Sequence, residues 1–176
     1  MLFLIGLHGC GKSTLGQRIQ EVEGWRSFSV GDLGRAARRN RPVEGISIRT
    51  MVRIGRVTPG TPMSMELGQM LVNDLSKHER VVCDGFPAAP EHLRLIPPGS
   101  SIVLVFCDEA MREERLNQRA LDTNRAWTPG MPSERDGLVG DVFSAARGLP
   151  LTLSVFNNSG PMPSGLEILS RLGQNA

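Results

Sequence analysis

The sequence predicts a single α/β domain whose strands form a parallel sheet. Three observations lead there. Short apolar runs alternate along the chain with stretches of helical periodicity, the order that builds parallel sheets. Those runs are apolar almost without a break, as strands are when helices cover both faces of the sheet. The chain of 176 residues, 40% hydrophobic and 22% charged, suits one globular domain large enough to bury a core.

The first strand is Leu2 to Ile5, followed by a glycine-rich turn and a helix with Leu15, Ile19 and Val22 on one face. Ser27 to Val30 forms the second strand. A long gap, 31–80, predicts a helical insertion. Within it Leu67, Met70, Leu71 and Leu75 share a face, and Thr61 and Pro62 supply a cap and a first-turn proline. Val81 to Cys83 and Ile102 to Phe106 are the third and fourth strands. Asp108 stands where it would cap a helix carrying Met111, Arg115 and Arg119. The segment "DTNRAWTPGMPSERDG", with two prolines and two glycines, predicts a mobile loop. After Ser133, Leu138, Val139, Val142, Phe143 and Ala146 form a further helical stripe. Leu151 to Phe156 is the last strand, and Leu166, Leu169 and Leu172 mark a closing helix.

Between the first strand and the first helix, "GLHGCGKS" from Gly6 to Ser13 fits G-x-x-x-x-G-K-[ST], a phosphate-binding loop in its proper context. Glycines let the backbone turn the N–H groups of Gly9, Cys10 and Gly11 inward around phosphates, and the helix N-terminus adds a favourable dipole. Lys12 is expected on the β- and γ-phosphates of ATP, Ser13 on Mg²⁺, and Thr14 over the α-phosphate. Asp84 follows the apolar "VVC", at the carboxyl edge where open α/β sheets bind ligands. A carboxylate there is a second holder for the Mg²⁺ water shell.

A net charge of +2 does not call for a nucleic-acid partner, and two tryptophans, six phenylalanines and no tyrosine leave little for base stacking. Arginines nevertheless crowd residues 35–56 and recur from Arg112 to Arg147, which favours a small anionic ligand. Three cysteines form neither a disulfide framework nor a metal spacing, so a reducing, cytoplasmic setting is expected. The apolar N-terminus lacks a basic start and is too short to cross a membrane. Monomer and dimer both stay open.

Four landmarks in order, "GLHGCGKST", "FSVGDLGRAARR", "GRVTP" and "DGFP", followed by "ERLNQRA", resemble the adenylate kinase-like nucleoside monophosphate kinases. The resemblance implies a P-loop NTPase three-layer fold with a parallel five-stranded sheet, in one kinase domain over 1–176. It also implies a helical acceptor-binding insertion at about 31–80 and a short lid at about 120–147. Arg35 would bind the acceptor phosphate, with the Val57 backbone and Gly85 bordering the acceptor. Arg115 and Arg119, one helical turn apart, would sit near the ATP adenine and the transferring phosphate. Asn158, in "FNNSGP", falls in a loop that touches adenine through its backbone. Arg135 and Arg147 would be lid arginines, although the family's R-x-D-D lacks its second aspartate here.

The second half of the DGFP motif departs from the family, which continues with an arginine for the acceptor phosphate and a glutamine for the adenine edge. Those positions are Ala88 and His92, and Val30 replaces the family's threonine. Losing the arginine forfeits a charge-assisted contact of roughly 1.5–3 kcal/mol unless another group replaces it. Three readings compete. An arginine of the 35–56 cluster compensates, leaving a monophosphate kinase with altered base choice. Alternatively the acceptor is a hydroxyl, with Asp32 as its base, where small-molecule kinases such as shikimate kinase carry one. In the third, the protein binds NTP as a switch without transfer. Asp32 reads equally as a helix cap, and His92 as a surface histidine or an acceptor contact.

Overall fold

The computed structural model describes residues 1–121, 130, 131 and 133–174. Five parallel strands run β1 (Leu2–Ile5), β2 (Trp25–Ser29), β3 (Arg80–Asp84), β4 (Ser101–Phe106) and β5 (Thr152–Asn157), in the spatial order β2-β3-β1-β4-β5. Seven helices connect or follow them among the described residues: α1 (Lys12–Gln20), α2 (Val30–Arg38), α3 (Ile48–Gly55), α4 (Met65–Leu75), α5 (Glu109–Ala120), α6 (Glu134–Ala146) and α7 (Gly165–Arg171). A short 3₁₀ helix covers Pro90–Leu95.

The unbroken apolar runs have the expected cause. On central β1, Leu2 and Leu4 face one core with Leu15 and Ile19 of α1 and Ile168 and Leu169 of α7. Phe3 and Ile5 face the other, with Leu33, Ile54, Leu71, Phe86 and Val142. All four β1 side chains are at most 3% exposed, so no position on this strand tolerates a polar residue without loss of burial.

Serine hydroxyls start most of the connecting helices. Ser29, Ser47, Ser64, Ser133 and Ser164 each accept the N–H of the third helical residue. This revises three local expectations. Val30 opens α2 and does not end β2, because Ser29 caps there. The helix of Leu67 and Leu75 starts at Ser64, while Thr61 turns its hydroxyl onto the Thr58 carbonyl at 2.8 Å. Asp108 precedes α5 but makes no side-chain cap.

The insertion comprises α2, α3 and α4, and one buried carboxylate ties α4 to the start of α3. Asp74 of α4 accepts the Ser47 N–H (3.0 Å), the Thr50 hydroxyl (2.6 Å) and Lys77 Nζ (2.6 Å), and so pins the start of α3. Burial alone would raise its pKa. The bonds from Lys77, Thr50 and Ser47 outweigh that and bring it from 3.8 to about 2. The stretch read as a lid, 120–147, is not uniform: residues 122–129 and 132, including Arg125 and most of the predicted loop, lie outside the described residues. Its far end is α6, whose Val142 and Ala146 belong to the core.

Asp74→Ala is expected to cost about 2–3 kcal/mol in denaturant unfolding, because the Ser47 N–H and Thr50 hydroxyl lose their acceptor. Asp74 has a depressed folded pKa, so its ionic contribution is complete above the ordinary value of 3.8 and is lost as pH falls through about 2. The stability gap between wild type and Asp74→Asn should therefore narrow across that window in a pH series of melts.

Candidate active site

The site lies at the carboxyl edge of the sheet, where β1 runs into the glycine loop and β3 ends in Asp84. The parallel register places Leu4 opposite Asp84, and Ser29 opposite Asp84 on the other side. Two glycines shape the loop. A Cβ on Gly6 would meet the Val105 carbonyl at 2.2 Å, and one on Gly11 would meet Asn158 Nδ2 at 2.2 Å, with Gly11 at φ 90. Unlike the serine-capped helices, α1 begins on Gly11 with no side-chain cap, which leaves its N-terminal N–H groups to a ligand.

Lys12 folds back over this loop, donating to the Gly6 and Leu7 carbonyls at 2.7 Å each. Ser13 Oγ donates to Asp84 Oδ2 at 2.5 Å. The other oxygen, Asp84 Oδ1, is buried with no hydrogen-bond partner among the described residues. A hydroxyl and a carboxylate in contact, with one orphaned oxygen, fit a hard cation or its water. Cys10 is buried behind the loop in the core, and that burial pushes its thiol pKa up.

Asn158 is buried, and its amide donates to the Cys10 carbonyl at 2.8 Å while its own carbonyl accepts Arg115 Nη2 at 3.2 Å. It thus buttresses the glycine loop from behind. Arg115 Nη1 is buried without a partner among the described residues. Thr14 is exposed on the first turn of α1.

Two cavities meet at this edge. The first is bounded by the loop, Lys12, Ser13 and Asp84; the second by α2, α3 and the turn after Val57, with Val30, Gly34, Ile54 and Met63 in its wall. Both are lined by Arg35, Arg119, Arg135, Gly85, Ala88 and His8. Val57 lines the second cavity, and Gly85 lines both.

Three sequence expectations change. His92 is neither a surface histidine nor an acceptor contact. It is fully buried, accepts the Ala88 N–H on Nδ1 (3.1 Å), donates from Nε2 to the Met63 carbonyl (2.9 Å) and stacks on Phe86 at 4.9 Å. Burial lowers its pKa, consistent with a neutral ring serving as one donor and one acceptor. Asp32 is neither helix cap nor cavity base. Ser29 caps α2, and the Asp32 carboxylate is half exposed, pairs with Arg35 and lines neither cavity. Arg147 ends α6 at the surface, 5.9 Å from the centre of the Phe143 ring and away from both cavities.

The sequence reading missed Asp136, next to Arg135 on α6. Its carboxylate accepts the His8 N–H (3.1 and 3.3 Å) and His8 Nδ1–H (2.8 Å). Burial would raise its pKa, but these bonds prevail and lower it. Arg38 was passed over too, as one arginine of a cluster, and it lines the second cavity. The Ser133-x-x-Asp136 spacing signalled only a helix start, and nothing local links Asp136 to a residue 128 positions away.

A family model described as an AAA domain matches residues 5–126. UMP-CMP kinase 3 of Oryza sativa subsp. japonica is 31% identical over 134 residues, 70% of this chain and 62% of that protein. An adenylate kinase of Streptococcus suis is 26% identical over 128 residues, 68% of this chain and 60% of that protein. The chain thus spans about three fifths of these relatives' own lengths. Among solved structures, a shikimate kinase from Bacteroides thetaiotaomicron superposes with a TM-score of 0.52 at 18% identity, covering 98% of this chain and 93% of that one. At that identity the likeness speaks for the fold.

His92→Ala should lower unfolding stability by about 3 kcal/mol, since it leaves a cavity, an orphaned Ala88 N–H and an orphaned Met63 carbonyl. Denaturant melts test this. A surface histidine would shift stability by less than about 0.5 kcal/mol.

Proposed function

The chain belongs to the adenylate kinase-like P-loop kinases, and on that premise we propose that it moves the γ-phosphoryl of Mg-ATP to a nucleoside monophosphate. The observation that carries this reading is the junction of the two cavities. A nucleoside triphosphate on the loop and a monophosphate in the α2–α3 cavity would meet between Arg35, Arg119 and Arg135. Phosphoryl transfer needs positioning and charge neutralisation more than covalent chemistry, and three guanidiniums at one junction supply both. The similarity to UMP-CMP and adenylate kinases supports the same acceptor class.

In this reading the uncapped start of α1 and the loop N–H groups hold the β-phosphate, and Lys12 leaves its loop carbonyls for the β- and γ-phosphates. Ser13 and Asp84 would hold Mg²⁺, which when bound neutralises charge on the phosphate oxygens. Arg115, with Nη1 unsatisfied, packs behind Gly11 of the loop beside Asn158, and Arg119, one turn on, lines the junction. The apolar wall of Val57, Ile54 and Met63 accommodates the acceptor base. Base selection does not run through His92, whose two nitrogens are both engaged.

Two other readings lose their support. A hydroxyl acceptor needs a base, and Asp32 lies outside both cavities, paired with Arg35. A switch that only binds NTP has no use for arginines lining a second cavity. A reducing, cytoplasmic setting fits Cys10, Cys83 and Cys107, all free thiols. Among the described residues no helix is long and apolar enough to cross a membrane.

ADP formation from Mg-ATP with UMP, CMP, AMP, the matching nucleosides and small alcohols tests the proposal. Turnover is expected with one or two monophosphates. Lys12→Ala should lower kcat at least about a hundredfold, by loss of a cation that acts on the transferring phosphate. Turnover with unphosphorylated acceptors alone would overturn the monophosphate reading.

A further inference from the structure

We infer that the acceptor cavity selects a base that carries carbonyl groups and no amino group, uracil or hypoxanthine, and that Arg38 is the residue that selects it. The inference rests on the monophosphate reading and names the class of base. Arg35, Arg119 and Arg135 line both cavities, so they belong to the junction where the phosphates meet. Arg38 lies one helical turn beyond Arg35 on α2 and lines only the cavity between α2 and α3. It therefore stands at the end away from the glycine loop, with the apolar walls that take the base.

The place of its guanidinium follows from the bare backbone of α2. A methyl group on Gly34 would stand 3.6 Å from both Nη1 and Nη2 and 3.8 Å from Ile54 Cγ2, so the head group lies across Gly34 beside Ile54. Nη1 donates to the Gly55 carbonyl at 3.4 Å, a long bond to a neutral acceptor and the only one the side chain makes among the described residues. The other guanidinium N–H groups are left for a ligand, and all of them are donors.

The same cavity is poor in acceptors. Among the described residues no carboxylate and no side-chain amide lines it. The Ile54 and Gly60 carbonyls in its wall already accept the N–H groups of Val57 and Arg135. The Thr58 carbonyl accepts from Thr61, the Met63 carbonyl from His92, and the Gly85 carbonyl from the Arg135 side chain. The hydroxyls of Thr58 and Thr61 serve donor and acceptor alike, so they choose neither kind of base. Cytosine and adenine each bring an amino group with two N–H donors, and this wall meets them with more donors. Uracil and hypoxanthine present a carbonyl at the same position, which accepts from a guanidinium. A buried donor left unmatched is costly, so the discrimination falls on the amino bases.

Two matched pairs test this, UMP against CMP and inosine monophosphate against AMP. Each pair shares ribose, phosphate and ring size, and differs in the exocyclic group and the ring nitrogen beside it. In whichever ring size the cavity admits, wild type should favour the carbonyl base at least about tenfold, in calorimetric affinity and in kcat/KM with Mg-ATP. Arg38→Ala should bring that ratio within about threefold. Arg38→Glu supplies an acceptor and should turn the preference to the amino base. The ratio cancels any effect of the new charge on the shared phosphate. Should Arg38→Ala fold poorly, Arg38→Gln, whose amide both donates and accepts, should show the same loss of preference. A wild-type ratio near one, or a preference for CMP or AMP, overturns the inference. So does an Arg38→Ala that weakens both members of a pair and leaves their ratio intact, the mark of a phosphate contact or of a structural role. Wild type that turns over no monophosphate sinks the monophosphate reading, while the binding ratio still decides the role of Arg38.

Discussion

The burial of β1 is the constraint from which the site follows. Strands on both sides and helices on both faces leave Leu2 to Ile5 no freedom, so the residue after Ile5 emerges at one fixed point of the sheet edge. Gly6 is then pressed against the Val105 carbonyl, and the loop must turn at once. The same packing brings Asp84 of β3 level with Leu4 and within reach of Ser13. A hydroxyl–carboxylate pair is thus assembled from residues 71 positions apart by strand register.

Around that fixed edge, the first turn of α6 joins two segments of the cleft. Arg135 reaches the acceptor side through Gly85 and Gly60, while Asp136 reaches the glycine loop through His8. Adjacent residues of one helix point to different sides of it, so a single turn holds both walls of the cleft at a set spacing. Ser133 caps that turn by accepting the Asp136 N–H at 3.2 Å, which orients the helix start on which both contacts depend. A charged pair at a helix N-terminus would ordinarily be read as surface decoration. Here it spans a junction.

The fold was legible because its signals are local and redundant. Unbroken apolar runs, helical stripes and a glycine loop in a strand–helix context each point to the same α/β sheet. Motif spacing and a strand end singled out the glycine loop, Ser13 and Asp84, and the family resemblance singled out Arg35 and Val57; all of them line one or both cavities. His92 was not legible. Nothing adjacent in sequence shows that its ring will be sealed between Phe86, Met63 and Ala88, because Met63 arrives from the insertion. Asp32 misled in the opposite sense: it stands where small-molecule kinases carry a base, but Ser29 starts the helix and the carboxylate is half exposed and paired with Arg35. The partners of Asp136 and Arg135 depend on tertiary docking of α6, which no periodicity encodes.

The resting partners of the cleft cations determine which of them a phosphate can recruit. Lys12 is held by the neutral Gly6 and Leu7 carbonyls, and the Arg135 side chain by the neutral Gly85 carbonyl. Arg35 is held by a carboxylate, that of Asp32. Charge-assisted bonds are roughly twice as strong as those to neutral acceptors. A phosphate dianion therefore gains by drawing Lys12 or Arg135 from a carbonyl, whereas drawing Arg35 from a carboxylate exchanges one ionic bond for another. Among Lys12, Arg135 and Arg35, two therefore rest on neutral carbonyls and one on a carboxylate.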